Sequence, residues 1–209
     1  MNKTLYIDKF IFWNETDAEN IPDVSFIPPM ARRRMSILEK IAVSLASKIA
    51  PETPDYRVVF ASQFGEWDQT IRLIKQFYSD CEMSPAGFSN SVHNAALGHL
   101  SLLTKNHESY TSIAAGAQTL EMGLLESFTT KTPVLFIYSE EKTPDEYQHM
   151  FNEPIKSHGC ALFINNDGKN EFEFISQTND CNTIKYQDLK DFFENGNELN
   201  AQKWKLIKK

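Results

Sequence analysis

The chemistry open to this chain depends first on the thiol, hydroxyl and imidazole groups of residues 62–99. Ser62 ends the apolar run RVVFAS (57–62), Cys81 follows an amphipathic segment, and His93 lies within SPAGFSNSVHNAALG (84–98). A hydroxyl or thiol acts as a nucleophile when an imidazole lies within hydrogen-bond reach. Pairing of Cys81 or Ser62 with His93 is therefore one alternative, although spacing alone does not establish a contact. A histidine in such a position more often contacts a backbone carbonyl or a neighbouring side chain.

Other patterns of catalytic or ligand-binding residues are absent from the sequence. It contains no G-x-S-x-G elbow, no P-loop and no G-x-G-x-x-G fingerprint. The acidic residues show no spacing typical of an acid–base pair, and Cys81, Cys160 and Cys181 lack the spacing of metal ligands. The residues alone therefore predict no active site, no metal and no cofactor.

Composition and charge exclude several classes of partner. The chain has 209 residues and a net charge of −7, which argues against nucleic acid or an anionic membrane surface as the main partner. The one basic cluster, Arg32–Arg34, is predicted to be the solvated first turn of a helix. No window approaches eighteen consecutive apolar residues, so no membrane span is predicted. Three cysteines, an odd number, favour reduced thiols and a cytoplasmic protein.

Runs of β-branched and aromatic residues alternate with helical patterns along the chain. Strands are predicted at 5–13, 57–62, 109–115, 133–141 and in two runs within 159–176. Helices are predicted between Pro28 and Pro51 and at 66–80, 92–103, 118–128 and 186–195, the last ending at Gly196. This alternation predicts one α/β domain, with helices on both faces of a mixed sheet. We place the domain at residues 1–196 and a C-terminal tail, partly ordered through Trp204 and Leu206, at 197–209.

Two local predictions concern packing and turns. The segment 66–80 places its large apolar residues on one helical face: Trp67, Ile71, Ile74, Phe77 and Tyr78. The turn sequence NNDG (165–168) predicts that the two late strands form a hairpin.

Several segments together resemble a known family. They are FIPPMARRRMS (26–36), VVFASQFGEWDQTIRLIKQF (58–77), MSPAGFSNSVHNAALGHLSL (83–102), TSIAAGAQTLEMGLLES (111–127) and PVLFIYSEE (133–141). In order and spacing these segments are similar to β-ketoacyl synthases. The resemblance is closest to the small β-ketoacyl synthase N-terminal-like proteins that accompany the type II synthases of aryl polyene pigments.

The resemblance implies a thiolase-like fold, truncated to roughly one half of a full synthase. It also implies a nucleophilic cysteine where a strand enters a buried helix, a position that falls at or beside Gly116 in this sequence. No cysteine lies between Cys81 and Cys160, so condensation through a thioester at this position is excluded. The second half of a synthase, which supplies the decarboxylating histidines or a His and an Asn, has no counterpart here. The resemblance therefore implies that the chain has no catalytic residues.

The stretch 84–98 is expected to serve a partner interface and an acyl pocket. In synthase dimers the matching segment packs against its counterpart and reaches towards the acyl pocket of the other subunit. The residues that the resemblance assigns to this role are Phe88, Ser89, Ser91, His93, Asn94 and Met122. A simpler interpretation is that SPAG is a tight turn and that Ser89 or Ser91 caps a helix.

The function implied is that of an inactive subunit resembling a chain length factor. It would form a heterodimer with an active β-ketoacyl synthase in a type II fatty-acid or polyketide system of the aryl polyene type. The active subunit would bind the acyl carrier protein, so contact with the carrier would be indirect. Two alternatives stay open: a small hydrolase or acyltransferase of thiolase fold acting on acyl thioesters through Cys81 or Ser62 with His93, and a homodimeric scaffold that binds acyl carriers.

Overall fold

An eight-stranded mixed sheet forms the centre of the computed structural model, which describes residues 2–16, 22–53, 55–131 and 133–209. The strands are β1 (Asn2–Asn14), β2 (Arg57–Ala61), β3 (Tyr110–Ile113), β4 (Val134–Glu140), β5 (His158–Asn165), β6 (Glu171–Ser176), β7 (Glu198–Asn200) and β8 (Trp204–Lys208). Their order is β3-β2-β4-β5-β1-β6-β8-β7. Strand β2 runs parallel to β3 and β4, and the other pairs are antiparallel. The mixed sheet expected from the sequence is confirmed.

Seven α-helices accompany the sheet in the described ranges. They are α1 (Pro29–Arg32), α2 (Ile37–Ile49), α3 (Trp67–Asp80), α4 (Pro85–Ser89), α5 (Ala95–Thr104), α6 (Thr119–Thr129) and α7 (Tyr186–Asn195). Gly116–Gln118 and Asp145–Met150 form short 3-10 helices. None of the helices described here is both long and apolar enough to cross a membrane.

Alternate side chains of the central strands enter two separate hydrophobic cores. Val58 and Phe60 pack with α2 and α5, whereas Val59 and Ala61 pack with α6 and the strands next to α7. Because successive side chains of a strand point to opposite faces, both faces of the sheet must be covered. Helices therefore lie on both sides, as predicted, and the central strands are apolar without alternation.

The helix predicted from Pro28 onward is interrupted. The short α1 ends at Arg32, and α2 begins after Ser36, whose side chain accepts a hydrogen bond from the Glu39 amide at 2.9 Å. The Glu39 carboxylate in turn accepts the Ser36 amide at 2.9 Å, which completes a capping box. Arg33 and Arg34 are exposed, as expected of a solvated cluster, but their placement in the first turn of a helix was wrong, since Arg32 ends α1 and the other two precede α2.

The hairpin predicted from NNDG does not form. Strand β1 lies between β5 and β6 and pairs with both, so the turn connects two strands that are not neighbours. The backbone amides of Lys169 and Asn170 donate to the carboxylate of Asp8, which occupies the place next to the turn. A turn sequence predicts only that the chain reverses, and it contains no information that the distant strand β1 lies between β5 and β6.

Residues 198–208 belong to the sheet. Trp204 and Leu206 are fully buried, and the Trp204 indole donates to the carbonyl oxygen of Glu121 on α6 at 3.3 Å. The rings of Trp204 and Phe128 meet edge to face, with centroids 5.3 Å apart. The tail placed at 197–209 thus contributes β7, β8 and part of the core.

Helix α3 places its apolar residues differently from the prediction. Ile71 and Leu73 are buried, but Ile74 and Phe77 are about half exposed, and Tyr78 is 81% exposed. Much of the predicted core face of this helix therefore faces solvent.

Candidate functional site

The junction between β3 and α6 leaves an open position at Gly116. This glycine has a φ of +57°, and a Cβ added to it would meet no heavy atom within 4 Å. The Thr119 hydroxyl donates to the Gly116 carbonyl at 2.7 Å and accepts the Ala115 amide at 2.9 Å. These two hydrogen bonds fix the turn, because the single hydroxyl group of Thr119 binds the backbone of both Ala115 and Gly116.

Gly116 lines a cavity of about 640 Å³ at the carboxyl ends of β2 and β4. Ligands of α/β sheets commonly bind at this end of the parallel strands. The lining combines polar, charged, aromatic and apolar side chains: Asn14, Thr16, Gln63, Ala117, Thr119, Leu120, Tyr138, Glu140, Glu153, Pro154, Ile155, Lys156, His158, Ile184, Lys185, Tyr186 and Gln187. Its volume is in the range of small-molecule sites.

Glu140, at the end of β4, holds the loop that follows β2. One carboxylate oxygen accepts the Ser62 hydroxyl at 3.1 Å, and the other accepts the Gln63 amide. The residue is buried, and burial raises the pKa of the Glu140 carboxyl to about 7. Glu140 thus carries a proton over part of the physiological pH range.

His158 begins β5 and forms part of the cavity wall. Its Nδ1 lies 2.7 Å from the carbonyl oxygen of Lys156, so Nδ1–H donates and Nε2 carries the lone pair of the neutral ring. Burial lowers the pKa of His158, which favours this neutral form. The imidazole lies between the rings of Tyr138 and Tyr186, with centroids at 5.6 and 4.8 Å.

No cysteine lines this cavity in the part of the chain that the structure describes. Cys160 is fully buried in β5, and burial raises the pKa of its thiol far above the ordinary value. Cys81 is exposed at the C-terminus of α3, and Cys181 is partly exposed. Because the thiolate is the reactive species, Cys160 is chemically inert in this setting.

Residues 11–208 match the family model of the β-ketoacyl synthase N-terminal domain. This chain belongs to that family. The resemblance identified from the sequence is therefore confirmed.

Solved structures agree on the fold. One, of the ketosynthase ApeO in complex with its chain length factor ApeC from Xenorhabdus doucetiae, matches with a TM-score of 0.75 and 20% identity, covering 98% of this chain and 99% of that chain. The ishigamide ketosynthase/chain length factor matches with a TM-score of 0.54 and 16% identity, covering 65% of this chain and 45% of that chain. No curated protein matches the sequence. The thiolase-like α/β fold is thus confirmed.

In this family member both ring nitrogens of His93 have partners other than the hydroxyl group of Ser62. Its Nε2 lies 2.7 Å from the backbone carbonyl oxygen of Ser62, and its Nδ1 lies 2.5 Å from the Ser112 hydroxyl. The Ser62 hydroxyl instead donates to Glu140 and accepts the Gly65 amide at 2.9 Å. The pairing of Ser62 with His93 is therefore wrong, because both ring nitrogens are engaged elsewhere.

The hydroxyl groups of the serines in the stretch 84–98 form hydrogen bonds with backbone groups of the same stretch. Ser84 caps α4 by accepting the Gly87 amide at 3.2 Å. Ser89 and Ser91 donate to carbonyl oxygens of preceding residues at 3.0 and 2.9 Å, so neither acts as the predicted cap. Asn94 precedes α5 without a capping bond from its side chain.

Close packing within the chain explains why residue 87 of α4 is a glycine. A Cβ at Gly87 would lie 3.1 Å from Leu73 and 3.3 Å from Gln69, both on α3. The small residue thus allows α4 to pack closely on α3, which supports the segment that carries Phe88.

Many of the exposed large apolar side chains in the described residues fall in one stretch of the chain. These residues, which we call the helical apolar surface, are Ile74, Phe77, Tyr78, Met83, Phe88, Val92, Leu102 and Leu103. They lie on or beside α3, α4 and α5, the helices that connect β2 to the edge strand β3.

The structure separates two groups of predicted site residues. Phe88, Ser89, Ser91, His93 and Asn94 lie in the α4–α5 segment, on the side of the sheet covered by α2. Met122 is half-buried on α6, which packs on the other side. Their assignment to an acyl pocket stays a prediction.

The polar lining of the cavity was not predicted from the sequence. Glu140 follows the apolar run VLFIYS, and a carboxylate directly after a buried strand could have indicated it. His158 and Tyr186 reach the cavity only through the packing of β5 and the approach to α7, for which the sequence contains no local signal.

Proposed function

We propose that this chain is a non-catalytic subunit, similar to a chain length factor, that pairs with an active β-ketoacyl synthase. The observation that carries the proposal is the helical apolar surface beside the edge strand β3. Contiguous apolar patches mark interaction sites, since soluble monomers rarely leave them uncovered, and we propose that these side chains form such a patch. An edge strand adds unpaired backbone groups that a partner can satisfy.

The cavity at Gly116 supports the part of the proposal that the chain is non-catalytic. The position that the family resemblance assigns to the nucleophile has no side chain, and the nearby Cys160 thiol is buried and protonated. A ketosynthase partner would therefore supply the thiol and the decarboxylating residues. The structure of ApeO with ApeC, which resembles this chain in fold, is itself a complex of a ketosynthase with a chain length factor.

Phe88 is the residue that we assign to control of acyl chain length. It is 57% exposed on α4, within the helical apolar surface. We propose that Phe88 reaches the acyl pocket of the partner, with Ser89, Ser91, His93 and Asn94 holding its segment. The pathway would be a type II system of the aryl polyene type, in which the active subunit binds the acyl carrier protein. Met122 would contribute from the far side of the sheet.

Affinity purification of the tagged chain from its native host tests the pairing. The expected result is a β-ketoacyl synthase in equal amounts, identified by mass spectrometry. The double variant Phe77→Glu/Tyr78→Glu should lose the synthase, because two carboxylates would be buried in the interface. Met150→Glu is the matched control, since Met150 is also exposed but lies outside the helical apolar surface.

Two results would contradict the pairing. Recovery of the wild-type chain alone as a homodimer would favour the scaffold alternative. Turnover of acyl thioesters by the isolated chain would favour the enzyme alternative.

A further inference from the structure

Helix α3 is attached to the molecule differently from the other long helices. Among the described residues, it contributes no side chain to either of the two hydrophobic cores, and only Ile71 and Leu73 are buried along it. Aromatic contacts hold its start, where Trp67 stacks on Phe64 with centroids 4.4 Å apart. Polar contacts at its N-terminus therefore matter more for its position than in α2 or α6.

Buried carboxylates surround that N-terminus. Glu66, directly before α3, accepts the Ser36 hydroxyl at 3.1 Å, and the same hydroxyl accepts the Glu39 amide at the start of α2. Glu39 is fully buried, and its Oε1 lies 3.1 Å from Nδ1 of His99 on α5. Hydrogen bonds through Ser36 thus connect the starts of α2 and α3, and the close approach of Glu39 to His99 adds α5 to the cluster.

A third carboxyl group, that of Glu141 directly after β4, reaches the first turn of α3. Glu141 accepts the Asp68 amide at 2.7 Å. It also lines a cavity of about 270 Å³, together with Asp68 and Ile37. Glu141 therefore faces a space that protons can reach from solvent.

The charges facing Glu66 oppose its ionisation. Burial and the neighbouring Glu39 raise the pKa of Glu66 to about 8, with Glu141 acting in the same direction and Ser36 and Arg72 against it. Burial likewise raises the pKa of Glu141 to about 7. The contact with Glu39 raises the pKa of His99, whose imidazole lies against that carboxyl group.

We propose that this cluster is a proton-sensitive attachment of α3: the helix is held in place while Glu66 is protonated and is released when Glu66 ionises. Ionisation would leave a buried negative charge on Glu66 beside the carboxyl group of Glu39, and Oε2 of Glu66 has no hydrogen-bond partner among the described residues. Because α3 carries Ile74, Phe77 and Tyr78, alkaline pH would then disorder part of the helical apolar surface. This last consequence for assembly rests on the proposed function, whereas the attachment itself does not.

Amide hydrogen exchange of the free chain between pH 7 and pH 9 tests the attachment without a partner. After correction for intrinsic rates, protection of residues 67–80 should fall about tenfold relative to residues 37–49, because a group with a pKa near 8 becomes about 90% ionised at pH 9. Glu66→Gln, which keeps the shape of the protonated acid, should abolish this fall. Glu82→Gln, at an exposed position just after α3, is the matched control and should retain it.

The outcome that overturns the proposal is equal loss of protection in wild type and Glu66→Gln, or no loss in either. If Glu66→Gln does not fold, the carboxyl carbon of Glu66 in wild type can be titrated by NMR. A midpoint near 8 supports the attachment, and a midpoint near the ordinary value of 4.5 overturns it. The hydrogen-exchange and NMR measurements use the free chain, so they do not depend on whether affinity purification recovers a synthase. The attachment of α3 and the pairing with a synthase can therefore be disproved separately.

Discussion

The helical apolar surface and the Gly116 cavity distribute polarity in opposite ways. At the surface, large apolar side chains such as Phe77 and Phe88 are about half exposed, whereas at the cavity the carboxyl group of Glu140 is buried and the imidazole of His158 is partly buried. Neither arrangement stabilises the fold by itself. Exposed apolar side chains forgo hydrophobic stabilisation, and buried polar groups lose their solvation by water. The difference is consistent with the proposed partner interface at the surface, whereas at the cavity Glu140 holds the loop that follows β2.

Phenylalanines in the core and at the surface provide the largest contrast. Phe128→Ala should destabilise the chain by about 3–5 kcal/mol, because it removes a fully buried ring that packs on Trp204 and Phe174. Phe77→Ala should change the free energy of unfolding of the isolated chain by less than about 0.5 kcal/mol. Urea unfolding of both variants checks this, and a loss at Phe77 comparable with that at Phe128 would mean that its ring is packed within the chain beyond its contact with Tyr78.

Ionisation of Glu140 should produce the next largest effect. Its pKa of about 7 lies above the ordinary value of 4.5, so the folded chain binds a proton that the unfolded chain has lost. The stabilisation is therefore complete below about pH 4.5 and is lost as pH rises to about 7, by about 3 kcal/mol in total.

Comparison with Glu140→Gln isolates this contribution from those of Glu66 and Glu141. The slope of unfolding free energy against pH between 5 and 7 should be smaller in the variant than in wild type. Identical slopes would show that Glu140 does not titrate in this window.

Gly116→Ala should have a smaller effect on stability. The added Cβ meets no neighbour, but a φ of +57° costs a non-glycine residue roughly 1–2 kcal/mol. Gly98→Ala is the control, because Gly98 also has open space around it but lies in α5, where alanine is favourable. Thermal unfolding should show a lower Tm for the first variant only.

Phe88→Ala should have the smallest effect on the chain itself and a distinct effect on the complex. Loss of an exposed ring should leave the unfolding free energy within about 0.5 kcal/mol of wild type. In the reconstituted complex we expect longer acyl products, because the tunnel would lose part of its end wall. Mass spectrometry of carrier-bound products measures this, and an unchanged length distribution would remove Phe88 from the proposed role.

The sequence predicted those features that local patterns determine. The apolar runs at β2 and β4 were found because both faces of these strands are buried. The position of Gly116 came from the family resemblance, since no local pattern marks a missing nucleophile. The hairpin of β5 and β6 was wrong because strand partners depend on the whole sheet, and here β1 inserts between them.

Helix α3 shows why an apolar pattern alone does not predict burial. Its periodicity is correct for an amphipathic helix, but Phe77 and Tyr78 stay exposed in the described chain. The sequence predicted a helix from residue 92, whereas Phe88 and Ser89 end α4 and Ser91, His93 and Asn94 lie in the loop before α5. The roles assigned to these residues stay predictions, because periodicity contains no information about a binding partner.

The central position of β1 has a consequence for how the chain reaches its structure. Residues near the N-terminus pair with strands that begin at His158 and Glu171, so the contact order of the sheet is high. During synthesis β1 must wait for the strands that begin at His158 and Glu171 to emerge before its neighbours exist. Such topologies fold slowly and expose apolar strands in the meantime.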